Sequence, residues 1–490
     1  MTSNIYIYDI SFLILFTLAV IIFLYRKRKN LKKEGIMYLY RTKVGIKLID
    51  KIGSKYKKAI SVFSFLAVIS GYLLMVTMIY FLGNIIYIYV FRPEIVQAIK
   101  IPPIMPLVPY LPEAFKLSFL PPFYFTYWII AIAVIAVFHE FAHGIVARRY
   151  DIKVKTTGFG FLGPFLAAFV EPDEEEMNKK PKYQQISVLS AGTFTNLILA
   201  VIFFLILGLF FISVYTPAGA IFNTYTPAII NITSISMVGG ISISNPTQAA
   251  ITDLINKNQM SNDIVLGTDE PINMTKIIAE NKNYFLTTED LKKQLDSNKG
   301  SGLVVLYSDL PAIKAGLKGA IIGIDEEKVK DYKNLAEIIK KYKPGDKIKI
   351  TTKYNDIILE YNIDLAEDSV QKGRAVIGIG FVNSRQGLIG KIFDYFNFFK
   401  KPQTNYEPKF NAEIIIFIYN LIWWLALINF SVALMNMLPV AVFDGGRMFM
   451  LTIWAISKSE KFAQVAFRIM TYLILGCLLV LMLAWFNAIF

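Results

Sequence analysis

The sequence predicts a polytopic α-helical membrane protein with about six transmembrane helices, a small membrane-associated β-hairpin and an inserted soluble α+β domain. Three observations carry this. Hydrophobic residues make up 55% of the 490 and mean hydropathy is +0.48. Several unbroken apolar stretches each exceed the roughly 20 residues that cross a bilayer as helix. Between 217 and 405 the chain turns to Asn, Asp, Lys and Thr with alternating, strand-like patterns.

The spans are expected near residues 8–25, 59–82, 123–147, 184–214, 412–436 and 465–489. The first sits against a basic flank and lacks a small-residue cleavage site, which argues against an ordinary signal peptide. The net charge of +14 could suggest nucleic acid. Its basic residues, however, concentrate between the first two spans, at Arg26, Lys27, Arg28, Lys29, Lys32, Lys33, Arg41, Lys43, Lys47, Lys51, Lys55, Lys57 and Lys58. That is the positive-inside pattern and not a nucleic-acid footprint, so no nucleic-acid partner is expected. A cytoplasmic basic loop makes the third span run inward and places the 217–405 block outside the cytoplasm. The sequons Asn231-Ile-Thr233 and Asn273-Met-Thr275 are compatible with that side.

The third span carries the chemistry. The only two histidines of the chain, His139 and His143, stand four apart in HEFAH. On a helix both imidazoles share a face and can grip one metal ion, while Glu140 lies one residue round, near any water that the metal holds. Ionisable groups are costly inside a span and usually mark a wet cavity or a functional site. Arg148 and Arg149 follow, so His143 is about 7–8 Å along the helix from the basic end and the site lies near the cytoplasmic face. Cys477 is the only cysteine. With no thiolate cluster and no third histidine, the remaining protein ligand must be Asp or Glu.

Elsewhere the pattern is looser. Eight prolines from 93 to 122 forbid a continuous helix and suggest an extracytoplasmic loop or cover. The stretch TTGFGFLGPFLAAFVEP is too glycine-rich and short to span, and suggests strands or a re-entrant hairpin returning toward the metal. The charged run from Asp173 to Lys182 fits a solvated turn. Near 300–385, LVVLYSDLPAIKAGLKG followed by KPGDKIKITTKYNDIILEYNIDL resembles a PDZ domain, although Gly319-Ala320 stands where a glycine-aspartate step is common. Residues 217–300 resemble nothing nameable. The domains are therefore expected at 1–122, 123–216, 217–405 and 406–490.

Asp444, in NMLPVAVFDGG, is a carboxylate at the end of an apolar segment, on the same side and at a similar depth as His143, followed by glycines that impose no side-chain bulk. At this point the chain resembles the site-2 protease family of intramembrane zinc metalloproteases. The resemblance rests on HEFAH, on AGTFTN at 191–196 as that family's G-x-x-x-N, and on N-x-x-P with D-G at Asn436, Pro439, Asp444 and Gly445. It covers about 123–214 and 412–457, with a PDZ-like insertion where many members have one. Arg447 and Phe443 stand where many members have histidine and leucine.

The resemblance implies cleavage of a peptide bond within a transmembrane helix of a substrate protein, in a multi-pass protein of a cell membrane. One Zn²⁺ would be held by His139, His143 and Asp444 with the fourth position open. Glu140 would act as base and then as acid. Asn196 and Asn436 are expected to hydrogen-bond the substrate backbone or the oxyanion. Transmembrane proteins and the lipid bilayer are the expected partners. Richness in Ile, Lys and Tyr suggests a prokaryotic source, with an archaeon as the narrower expectation. Competing readings are a prenyl-protein-processing zinc protease, which takes a glutamate as third ligand, and a non-enzymatic membrane adaptor or transporter. The sequence leaves oligomeric state and substrate open.

Overall fold

The structure is a computed structural model that describes residues 2–35, 37–99, 101–117, 120–162, 165–257, 264–266, 272–297, 301–381 and 398–489. It divides into two compact units, Met1–Phe210 with Glu413–Phe490, and Phe211–Ala412.

In the first unit the helices are α1 (Thr2–Lys27), α2 (Ile46–Lys55), α3 (Lys57–Phe91), α4 (Pro93–Ile99), α5 (Leu111–Ala114), α6 (Phe125–Arg149), α7 (Glu174–Asn178) and α8 (Lys182–Val214). After the insertion come α9 (Ala412–Asn436), α10 (Asp444–Ser457) and α11 (Glu460–Ile489). Helices α1, α3, α6, α8, α9 and α11 are long and apolar enough to cross a membrane, at the six places the hydropathy pattern indicates. Helix α3 continues to Phe91, beyond the end expected near 82, because the polar break at Gly83-Asn84 is absorbed: Asn84 Nδ2 donates back to the Tyr80 carbonyl. The proline-dense segment is broken into the short α4 and α5, as Pro requires. Leu74 and Met75 of α3, Ala142 and Val146 of α6, Leu189 of α8, Ala433 of α9 and Met448 of α10 form one buried cluster.

Two features depart from the sequence reading. The glycine-rich hairpin is one half of a four-stranded antiparallel sheet, β1 (Leu31–Glu34), β2 (Met37–Thr42), β3 (Val154–Leu162) and β4 (Phe165–Pro172), in that order. Strands β1 and β2 come from the basic loop, whose Lys and Arg mask the alternation in MYLYRT. Strand β1 pairs with β2, and β2 pairs with β3 from Tyr38 opposite Phe161 to Thr42 opposite Thr157. A side chain at Gly158 would lie 2.2 Å from the Tyr40 carbonyl oxygen, so only glycine lets β2 and β3 close. The tip at 163–164 lies outside the described residues. Secondly, Asp444 is not on the fifth span. Helix α9 stops at Asn436, where Pro439 disfavours helix in the residue before it, and Asp444 opens a separate helix. Gly445 and Gly446 serve this turn: a Cβ at either would strike the backbone of Met437 (2.4 Å) or of Val440 (2.1 Å). They make room for backbone and not for a metal.

Helix α6, which carries HEFAH, begins without a side-chain cap of its own. Asp9, buried within the apolar α1, supplies one from 116 residues away. Its carboxylate accepts from Phe125 N (2.7 Å), Thr126 N (2.9 Å) and the Thr126 hydroxyl, and from the Tyr110 hydroxyl. First-turn amides have no intrahelical partner and carry the positive end of the helix dipole, so a buried carboxylate is well placed there.

The second unit has two lobes and two buried clusters, with Met274 and Phe285 of the second lobe packed into the cluster of the first. A six-stranded sheet has strands 357–364, 347–354, 320–324, 215–221 and 404–408 in order, with 327–328 beside 320–324. Its core includes Ala220, Ile313, Leu317, Ile321, Leu335, Ile350 and Ile363. The other lobe is a seven-stranded sheet carrying 227–231, 303–308, 282–286, 272–279, 235–238 and 241–242, with 264–266 beside 272–279. Residues 217–300 thus mostly build this second lobe. The strand 303–308, grouped by its sequence with the 300–385 block, pairs here with 227–231 instead. Strand partners at such sequence separation leave no local signal.

Replacing Asp9 by Ala strands three donors at the start of α6 and is expected to cost about 2 kcal/mol of stability. The unfolding midpoint of the detergent-solubilised protein measures it, and an unchanged midpoint would refute the cap.

Candidate metal centre and active site

His139 and His143 share one face of α6, and their Nε2 atoms stand 3.0 Å apart. The turn after α9 brings Asp444 Oδ2 to 3.4 Å from each of them. Ligand atoms about 2.0–2.1 Å from one tetrahedral zinc stand about 3.4 Å from each other, so the spacing fits a shared ion. Among the described residues, His139, Glu140 and His143 also group closely enough to hold a metal. The three expected ligands and the expected base therefore meet at one place.

Helix α8 fixes the rings. Val188, Gly192 and Asn196 fall at every fourth position, hence on one face. The Val188 carbonyl lies 2.7 Å from His143 Nδ1 and accepts its proton, which leaves Nε2 bare toward the ion. A Cβ on Gly192 would lie 2.5 Å from His143 Nε2 and 2.7 Å from His139 Cδ2, so glycine is what admits both imidazoles. Asn196 is fully buried with its amide 3.0 Å from His139 Nδ1, and its Oδ1 otherwise has no partner. With Oδ1 turned to accept from Nδ1–H, the orphan is satisfied and His139 Nε2 is also a bare ligand. Asn196 thus stands behind His139, away from the cavity where a substrate-binding residue was expected. Asn436 does line that cavity.

The cavity has a volume of about 830 Å³ and contains His139, Glu140, His143, Asn436 and Asp444. Its wall on one side is β4. The Val170 amide donates to Glu140 Oε2 at 2.9 Å, which pins one carboxylate oxygen and leaves the other for proton transfer. At the rim Arg41 bridges Glu34 (2.7 Å) and Glu171 (3.3 Å), tying β2 to β4. The Thr156 hydroxyl first, and Arg41 second, hold the Glu171 carboxyl below the usual carboxylate range. Arg447, which follows the Asp444 turn, faces Glu174 at 3.7 Å.

Sequence reasoning marked Gly192 only as the glycine of the G-x-x-x-N pattern, without a role, and missed the Val188 carbonyl and the Val170 amide. Backbone groups carry no side-chain signature. Removing a partner that orients a ligating histidine commonly costs 10–100-fold in metal affinity, so Asn196→Ala should weaken zinc binding by roughly that factor. Gly192→Ala should do at least as much. Competition against a chromophoric chelator reads both, and wild-type affinity in either variant would contradict the assignment.

An uncharacterized protein of Methanocaldococcus jannaschii is 32% identical over 187 residues, which are 37% of this chain and 46% of the relative. The chain thus matches under half the length of that relative. The family model described as peptidase family M50 matches residues 127–477, a stretch that holds the HEFAH helix, the Val188–Asn196 face and Asp444. The chain belongs to peptidase family M50, the site-2 protease family.

Proposed function

We propose that this protein is a zinc-dependent membrane endopeptidase that hydrolyses a peptide bond within or near a transmembrane helix of other membrane proteins. The observation that carries this reading is the meeting of His139 Nε2, His143 Nε2 and Asp444 Oδ2 beside Glu140, in a cavity walled by β4.

Zinc held by His139, His143 and Asp444 would supply a Lewis acid and an acidified water at neutral pH. Glu140 accepts the proton of the attacking water on the oxygen that Val170 does not hold, and delivers it to the departing amine. Asn436, on the cavity wall, donates its amide to the substrate backbone or to the developing oxyanion. Asn196 and the Val188 carbonyl act through the histidines, as positioning groups.

A helical substrate hides its scissile carbonyl in its own hydrogen bonds and must unwind before attack. Among the described residues, strand β4 ends the sheet and pairs only with β3. Because Val170 N points outward to Glu140, period-two alternation turns the amides of Ala168 and Leu166 to the same free edge. An extended substrate segment can add there as a strand beside the base.

The insertion would serve as a filter on the extracytoplasmic side, the side expected from the positive-inside pattern of the sequence. Supporting this, a cleft of about 740 Å³ within it runs between Tyr332, Leu335 and Ile339 on one side and Ile377, Gly378 and Ile379 on the other, a shape suited to an extended peptide. A glutamate-liganded prenyl-protein protease is not favoured, since Asp444 stands where the third ligand belongs.

Glu140→Gln should retain zinc and lose cleavage of a transmembrane reporter by at least about 100-fold, the scale of a lost acid–base group. Undiminished cleavage would end the protease reading. Ala168→Pro removes one outward amide without touching β3 pairing, and should slow cleavage of a helical reporter while leaving zinc content intact. Equal turnover would end the strand-addition step.

A further inference from the structure

The loop between the first two spans carries 13 basic residues and two acids, Glu34 and Asp50. Both acids are occupied. Glu34 pairs with Arg41, and Asp50 pairs with Arg148 of α6 at 2.6 Å. Helix α2 presents Lys47, Lys51 and Lys55 at every fourth position, all exposed, with Lys43 in the turn before it. Among the described residues none of these four has a carboxylate within ion-pair distance. Like charges four apart on a helix oppose each other, so the stripe needs a counter-surface. Leu48 beside the stripe and Val44 in the turn before the helix are 50% and 77% exposed. Helix α3 starts two residues after α2 ends, which fixes this helix at the mouth of a membrane span. A basic stripe flanked by exposed apolar side chains at that depth is the pattern of a helix lying on an anionic bilayer surface.

The opposite face of α2 reaches the catalytic elements. Ile49 is fully buried and packs with Val154 and Val170. A Cβ on Gly144 would lie 3.0 Å from both Ile49 Cδ1 and Val170 Cγ1, so the two side chains share the notch next to His143. Gly45, at the start of α2, sits against the Phe141 ring. Val170 in turn holds Glu140 through its amide. A continuous packed path thus runs from the lysine stripe through Ile49 and Val170 to the base.

We propose that α2 is a binding site for anionic phospholipid headgroups, taken by Lys43, Lys47, Lys51 and Lys55, and that their capture seats Ile49 against Val170 and raises turnover at Glu140. The turnover part rests on the protease reading above, whereas the lipid part does not.

The test uses the full chain in nanodiscs of phosphatidylcholine alone or mixed with phosphatidylglycerol. Native mass spectrometry reads retained phosphatidylglycerol, and a transmembrane reporter reads cleavage. Each lysine near an anionic surface is worth about a factor of five, so Lys47→Gln/Lys51→Gln/Lys55→Gln should weaken phosphatidylglycerol retention by about a hundredfold. That variant should keep its zinc and its rate in phosphatidylcholine, and should lose the stimulation that phosphatidylglycerol gives the wild type. Ile49→Ala should still retain the lipid but lose the stimulation. Wild-type retention by the triple variant would overturn the site, and stimulation surviving in both variants would overturn the coupling. Stimulation by inorganic phosphate in phosphatidylcholine discs, or a triple-variant defect confined to reporters with an acidic flank, would assign the stripe to free phosphate or to substrate and likewise overturn it. If wild type and Glu140→Gln are equally inert in every disc, the protease reading fails, and lipid retention still decides the headgroup site.

Discussion

One carboxylate shared by two imidazoles organises the first unit. Asp444 Oδ2 stands equally far from the Nε2 atoms of His139 and His143, yet the residues are 301 or more positions apart in sequence. Three charged or polar ligands can meet among apolar helices only if each is held by structure that does not depend on solvent. The turn at 437–443 achieves this for Asp444. Pro439 stops α9, and the two glycines let α10 start directly over the backbone of that turn. The carboxylate is then placed by main chain, which is stiffer than a long side chain would be.

Helix α8 plays the matching part for the histidines. Its carbonyl at Val188, its missing side chain at Gly192 and its amide at Asn196 form one row that sets the tautomer of both rings and the distance between α6 and α8. Strand β4 completes the enclosure and holds Glu140 by one oxygen. Four separate segments therefore converge, and the sheet that carries β4 is itself tied to the basic loop through β2 and α2. In our reading this tie is what exposes the site to the state of the membrane surface.

Much of the architecture is legible because its signals are local. Unbroken apolar runs give the spans, and i, i+4 histidines give a shared helix face. The proline and glycines around Asp444 give a sharp turn, although its placement on a new helix depends on contacts with Met437 and Val440 that only the fold supplies. What escapes the sequence is long-range or made of backbone. The strands at 31–34 and 37–42 hide among lysines, and the partner that joins 37–42 to the hairpin lies more than 100 residues away. Asp9 looks like a lone flaw in an apolar helix until the α6 amides appear beside it. Asn196 has the composition of a substrate contact, and only the position of His139 turns it into a support for the ring. The strand at 303–308 carries the right alternation but chooses its partner by topology.

The central claim is that two imidazoles and the Asp444 carboxylate bind one zinc ion. Zinc K-edge absorption spectroscopy of the purified, zinc-loaded protein tests it most directly, beside the same measurement on Asp444→Ala. The account predicts a first shell of nitrogen and oxygen only, near 2.0–2.2 Å, with the outer-shell scattering of two imidazoles and with one oxygen ligand changed in the variant. A shell with one imidazole or none, or a spectrum unaltered by loss of the carboxylate, would contradict it.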